Sequence, residues 1–350
     1  MKNIKIYDVH GIKVYLDSSN INLHNAIDHQ LNFFQVKDDS LDESIAHIKI
    51  QDYCRKPNMK QYQTASDYYF YDNGILNIPD HRLCFDISDE VHKYYLDSFV
   101  IPVNLIVQLF LQNHGKTLVH SAGISCNGDS MLFPALGGIG KTTIVSHAMK
   151  EGCKLYGDDM CIVDKDATLY PYPIDFSVYH YHYKLLGIER SVKSRVLFVT
   201  GRALKLFDKI PVISWLTTRV RGKFFPECEN ISPLLIYGKN SVAKPSKMRK
   251  ITYIGRHIKG EELIQHEQLA DTEMAARITS ILLSEWRDSV VFLQIYSAFS
   301  TKFSYLDMCN NINKILIGAI SNTKVESVYV DASVSNEKYI KLLWSSVIGK

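Results

Sequence analysis

The stretch MLFPALGGIGKTTIVSHAMKEGCKLYGDD, residues 131–159, decides how this chain is read. Its centre, Ala135-Leu136-Gly137-Gly138-Ile139-Gly140-Lys141-Thr142, matches the phosphate-loop pattern G-x-x-x-x-G-K-[ST] except at the first position, where alanine stands for glycine. In that pattern glycines let backbone N–H groups turn inward around phosphates, the lysine brings a point charge to the β and γ phosphates, and the hydroxyl ligates Mg²⁺. The helix that follows aims its N-terminus at the anion. Residues 131–133 read as the preceding strand and residues 141–150 as the amphipathic helix. Ala135 through Thr143 are therefore the candidate nucleotide-binding segment. Alanine is strained where φ is positive, so Ala135 raises the question of how closely the backbone approaches phosphate there. The plainer alternative is a glycine-rich turn with a solvated Lys141. The strand, the helix and the Lys-Thr pair together argue against it.

The end of the stretch, Tyr156-Gly157-Asp158-Asp159, follows Lys141 by about seventeen residues. One helix and one strand fill that interval. In a parallel strand–helix–strand unit this spacing puts both carboxylates at the carboxyl end of the neighbouring strand, where such sheets bind ligands. One aspartate can hold Mg²⁺, as Thr142 can, and the other can accept a proton from an attacking hydroxyl. Which does which is open. A polar turn after a strand is the bland alternative.

The rest of the chain bounds these readings. Of 350 residues, 46% are hydrophobic and 22% charged, as in an ordinary globular protein. The seven cysteines (Cys54, Cys84, Cys126, Cys153, Cys161, Cys228, Cys309) form no C-x-x-C pair, which argues against a disulfide framework or a zinc ribbon. The first residues lack the apolar core of a signal peptide, and the most apolar run, SFVIPVNLIVQLFLQ, is too short to span a bilayer. A soluble, reduced, cytoplasmic protein with no membrane association is expected. Net charge is +3, but the bases cluster. Asp208 is the only acid between Arg190 and Lys223, and Lys244 to Lys259 contains none. Most of these bases read as a solvated face, and a few as a surface for phosphates or an acidic partner. No nucleic-acid-binding signature accompanies them, so nucleic acid is not expected as a partner.

Residues 1–97 read as a β-rich N-terminal domain of short strands, NIKIYDV, GIKVYL, AHIKIQ, DYYFYD, GILNIP and RLCFDIS, with Asp72-Asn73-Gly74 as a hairpin turn. Residues 98–350 read as an α/β catalytic domain. It opens with a helix over residues 97–114, with Pro102 in its first turn. SPLLIYG and RKITYIG read as strands, DTEMAARITSILLSEW as a helix capped by Asp271, residues 305–320 as another helix, and VESVYVD as a last strand. Arg256, just after KITYIG, falls at the ligand end of its strand and is a candidate for stabilising a transferred phosphoryl group, as is Arg190. VYHYHYK, residues 178–184, places His180, His182 and Lys184 on one face if extended, without a third metal ligand.

LVHSAGIS, ALGGIGKTT and LYGDD, in that order, resemble the HPr kinase/phosphorylase-like family, and YPYP at residues 170–173 looks like a segment that commonly follows in its relatives. The resemblance covers residues 115–175 well. It implies a phosphoenolpyruvate-carboxykinase-related P-loop fold, ATP and Mg²⁺, and phosphoryl transfer to a hydroxyl, often a serine of a protein or peptide. It also implies that His120, which matches the family's motif histidine, sits beside the base and orients it or shares a proton. Residues 185–190, LLGIER, are a poor match to the family's second signature, so HPr itself is not the expected substrate. Relatives with divergent flanks that phosphorylate precursor peptides are the nearest analogy. The expected partner is a peptide or protein, acidic if the basic middle meets it, and a homo-oligomer is compatible with the sequence. The alternatives are a small-molecule kinase by the same chemistry, a nucleotide-binding module without turnover, and a carboxykinase-like enzyme, for which the Lys/His metal set is missing.

Overall fold

A computed structural model of the chain describes residues 3–36, 43–60, 63–66, 69–98, 101–179, 182–189, 228–257 and 262–348. Arg190, His180 and the whole basic run of residues 190–223 lie outside the described residues.

Residues 3–96 build one sheet. Strands β1 (Asn3–Val9), β2 (Ile12–Ser18), β3 (Ile48–Asp52), β4 (Gln63–Ser66), β5 (Tyr69–Asp72), β6 (Ile75–Ile78), β7 (Leu83–Asp86) and β8 (His92–Leu96) pair in the order β1-β2-β3-β8-β7-β6-β5-β4. The β2–β3 and β3–β8 pairs are parallel and the others antiparallel. Asn73 and Gly74 turn β5 into β6 with φ of 45° and 91°, the two positive angles that a tight hairpin needs. Helix α1 (Ile21–Leu31) departs from the strand-only expectation. Asn20 caps it by accepting from the N–H groups of Asn22 and Leu23, and Leu23, Ile27 and Leu31 bury one face against the sheet.

The described chain from residue 101 onward is mixed α/β. Helix α2 (Val103–Leu111) is shorter than expected, with Pro102 just outside it as the cap. A long strand β9 (Lys116–Cys126) then pairs antiparallel with β10 (Asp129–Pro134) on one side. On the other side it pairs antiparallel with β11 (Lys154–Gly157) and β12 (Met160–Asp164). Helix α3 (Lys141–Lys150) joins β10 to β11. The expectation that β10 and β11 are neighbours is therefore corrected. They run parallel, but β9 lies between them, because the chain folds back as a hairpin before entering the phosphate loop. The consequence is chemical: His120, on β9, is inserted between the loop and the Asp-Asp pair.

The remaining elements are β13 (Thr168–Tyr170), β14 (Phe176–Tyr179), α4 (His182–Leu186), β15 (Cys228–Ile231), α5 (Pro233–Tyr237), β16 (Ser246–His257) and β17 (Ile264–Glu267). After them come α6 (Asp271–Glu285), α7 (Arg287–Phe299), α8 (Tyr305–Ile320), β18 (Lys324–Asp331) and α9 (Asn336–Leu343). Strand β16 pairs with β13, β10 and β18, so that β10, β9, β12, β13 and β16 close into a ring. Three expectations need correction here. SPLLIYG is a helix, since Ser232 caps it and Pro233 takes its first position, where no N–H is needed. His182 starts a helix instead of sharing a strand face with His180. Asp271 lies within the first turn of α6, and Ala270 holds the cap position.

Two cores flank β9. Leu118 and Val119 join α2, α6, α8 and the N-terminal sheet in one cluster, while Ala122 and Ile124 join α3 and α9 in the other. The cysteine reading is also corrected. Cys126 and Cys153 form a disulfide, because the end of β9 and the turn after α3 bring their Cα atoms to 4.5 Å. Among the described residues no helix is long and apolar enough to cross a membrane.

Candidate phosphate-binding site

The glycines of the loop do what a sharp strand-to-helix turn requires. Gly138 and Gly140 adopt φ of 79° and 115°. A Cβ at Gly140 would come within 2.7 Å of the Tyr339 ring, so α9 packs against the loop where only glycine fits. Ala135 has no positive φ and its methyl group is fully buried in the α3 core. The missing first glycine is thus a packing residue, and its carbonyl takes part in the site.

That carbonyl accepts from Lys141. The ammonium group donates to Ala135 O at 2.9 Å, to Leu136 O at 3.4 Å and to His120 Nε2 at 2.6 Å. Three donors find three acceptors, as a buried ammonium must. Burial lowers the Lys141 pKa, opposed by Asp159, Asp158 and Glu285. His120 is 2% exposed, and burial pushes its imidazole down to about 4, with Asp159 pulling the other way. Since Nε2 accepts from Lys141, the proton of the neutral ring belongs on Nδ1, which has no partner among the described residues.

The two aspartates have different surroundings. Gly157 sets the turn: a Cβ there would collide with Met160 O at 1.9 Å. Asp158 is buried and accepts from Thr142 Oγ1 at 2.7 Å. Its other oxygen, Oδ1, is buried without a partner among the described residues, and burial pushes the carboxyl up to about 7. Asp159 is 47% exposed, with Oδ1 3.5 Å from His120 Nε2 and 3.8 Å from Lys141 Nζ. Asp158 faces the hydroxyl side of the loop, and Asp159 faces the lysine and histidine.

Lys141, Thr142, Asp158, Asp159 and His120 therefore meet. Arg256 does not touch them. Its guanidinium stacks 3.9 Å over the Tyr339 ring and Nη1 donates to Asp331 O at 3.3 Å, so among the described residues it reaches the loop through Tyr339 and Gly140. Thr143 points into the protein and is buried. Two neighbours escaped the sequence reading. Glu285 places Oε1 3.3 Å from His120 Nε2. Tyr237, on α5, has its hydroxyl pKa raised by burial, with Asp158 adding to the rise. Neither belongs to a motif, and both come from helices distant in sequence.

An orphaned buried carboxylate oxygen beside a threonine hydroxyl fits a Mg²⁺ site. Mg²⁺ usually takes one or two protein oxygens and fills its shell with phosphate oxygens and water. No group of three or more His, Cys, Asp or Glu side chains able to hold a metal occurs among the described residues, which this mode of binding does not require. In comparisons with known proteins, no family model and no curated protein sequence matches this chain.

Proposed function

We propose that this chain is a P-loop kinase of the HPr kinase-like kind, transferring a phosphoryl group from ATP to a hydroxyl of a peptide or protein. The observation that carries the reading is the meeting of Lys141, His120 and Asp159 beside the Thr142–Asp158 pair. The burial of Lys141 beside two carboxylates and an imidazole, at the position of the phosphate-binding lysine in the loop pattern, supports the reading.

Roles follow from position. Lys141 and the N-terminus of α3 bind the terminal phosphates. Thr142 and Asp158 would hold Mg²⁺, which supplies charge neutralisation on the phosphate oxygens when bound. Asp159, the exposed carboxylate, accepts the proton of the attacking hydroxyl, and His120 orients it. Tyr339 and Arg256 brace the loop from behind.

The test is incubation of the protein with γ-labelled ATP, Mg²⁺ and candidate peptides. Label on a peptide hydroxyl is expected from the wild type and none from Asp159→Asn. Nucleotide binding without transfer to any acceptor, unchanged in Asp159→Asn, would refute the kinase reading. An unaltered nucleotide-induced rise in melting temperature in Lys141→Ala would refute the site.

A further inference from the structure

Glu285 is the last residue of α6, 34% exposed, and the roles above leave it without a task. His120 Nε2 faces three charged groups from three elements: Lys141 of α3 at 2.6 Å, Glu285 of α6 at 3.3 Å, and Asp159 of the turn between β11 and β12 at 3.5 Å. One nitrogen cannot serve all three. While Lys141 donates to it, Nε2 carries no proton and gives nothing to either carboxylate. Once Lys141 turns to a phosphate, Nε2 loses its donor and lies between two carboxylates. A proton on Nε2 then has two acceptors waiting.

The location of Glu285 is firmly set. Trp286, at the corner between α6 and α7, is buried and donates from Nε1 to Asn104 Oδ1 of α2 at 3.1 Å. Further along α7, Tyr296 donates its hydroxyl to Gly74 O at 2.6 Å and accepts from Ile87 N at 3.3 Å. Its ring stacks on Phe85 at 5.2 Å. The corner that carries Glu285 is thus anchored to α2 and to the N-terminal sheet.

We propose that Glu285 is a positioning residue for the transfer, holding His120 through Nε2 when Lys141 releases it, and that the N-terminal sheet serves the site by fixing the corner that carries Glu285. The proposal rests on the kinase reading and deepens it. In the transfer, the acceptor oxygen forms a bond to the γ-phosphorus as the bond to the β–γ bridging oxygen breaks, and ADP leaves with that electron pair. The hydroxyl proton passes to Asp159 and from there to His120 Nε2, where Glu285 stabilises the imidazolium. Glu285 itself forms no bond to phosphorus.

The test compares wild type, Glu285→Gln and Glu285→Asp by two readouts. The first is an imidazole ¹⁵N titration of His120 in the protein with Mg²⁺ and a non-hydrolysable ATP analogue. Glu285→Gln is expected to lower the pH at which His120 protonates by about half a unit or more, since a nearby carboxylate favours imidazolium, and Glu285→Asp to restore it. The second is steady-state transfer. Glu285→Gln is expected to lower kcat about tenfold or more with the KM for ATP unchanged and the acidic limb of the pH profile displaced, as loss of transition-state positioning predicts. Glu285→Asp should recover most of it. An unchanged His120 titration in Glu285→Gln overturns the proposal, as does an unchanged kcat. A wild type with no transfer activity defeats the kinase reading and with it a role in transfer, while the titration still decides whether Glu285 holds His120.

Discussion

His92 and His120 lie in different layers of the molecule, yet burial pushes both imidazoles down to about 4. Each leaves its Nδ1 buried without a partner among the described residues. Their surroundings separate them. The ring of His92, in β8, meets the Phe110 ring edge-on at 5.2 Å, and His47 and His114 pack against the same phenylalanine. His120 is met by an ammonium and two carboxylates. The two pKa shifts alone would not distinguish them. A depressed histidine pKa reports burial, and the charges gathered at Nε2 report a site.

The largest effect expected from breaking this contrast is at Lys141. Lys141→Ala should reduce transfer by about 10³-fold and abolish nucleotide-induced stabilisation, in the range seen when a preorganised charge is removed from a transition state. Next is the histidine pair itself. His120→Gln should reduce transfer by about 10²-fold, the lower range for losing a group that assists proton transfer, while His92→Gln leaves turnover of the folded protein unchanged. Equal losses in the two variants would erase the distinction.

In stability the two histidines should behave alike. An unfolded histidine titrates near 6.5 and the folded ones near 4, so the unfolded chain binds more protons between these values. Each histidine therefore imposes no penalty above pH 6.5 and progressively destabilises the fold as pH falls from 6.5 to 4. The upper bound is about 3.5 kcal/mol apiece, at about 1.4 kcal/mol per pKa unit. Chemical denaturation of the nucleotide-free protein at pH 7.5 and 4.5 should show a smaller acid loss in His92→Gln than in wild type. The smallest effect is at Arg256. Arg256→Gln should cost about 1 kcal/mol of stability, the size of a partly desolvated cation–π contact, and raise the KM for nucleotide a few-fold. A loss in kcat as large as that of His120→Gln would place Arg256 on the reacting phosphate instead of behind the loop.

The site was legible where chemistry is local. The loop, the Asp-Asp pair and His120 sit within forty residues, and each carries a residue type that physics demands at that spacing. Glu285 and Tyr339 were invisible because they arrive on helices more than a hundred residues further along, and one glutamate or tyrosine on a helix has no signature. Six strands of the N-terminal sheet were read from β-rich composition and the turn residues between them, whereas β4, β8 and α1 were passed over, although Asn20 and the spacing of Leu23, Ile27 and Leu31 announce α1. SPLLIYG misled because a short apolar run fits strand and helix equally, and only Ser232-Pro233 tips it. The place of β9 between β10 and β11 was not readable, since the residue pattern of a strand says which face is buried and not which strand lies beside it.

The disulfide between Cys126 and Cys153 encloses residues 127–152, and with them the whole phosphate loop and α3. The loop is thereby a covalent ring, tied off behind the strand that carries His120. Leu136, Gly137 and Gly138 are exposed at its tip, where a protease would reach first. A single cut there would sever the chain without separating it. The two pieces would travel together, held by the disulfide and by the pairing of β9 with β11 and β12, until reduction and unfolding together released them.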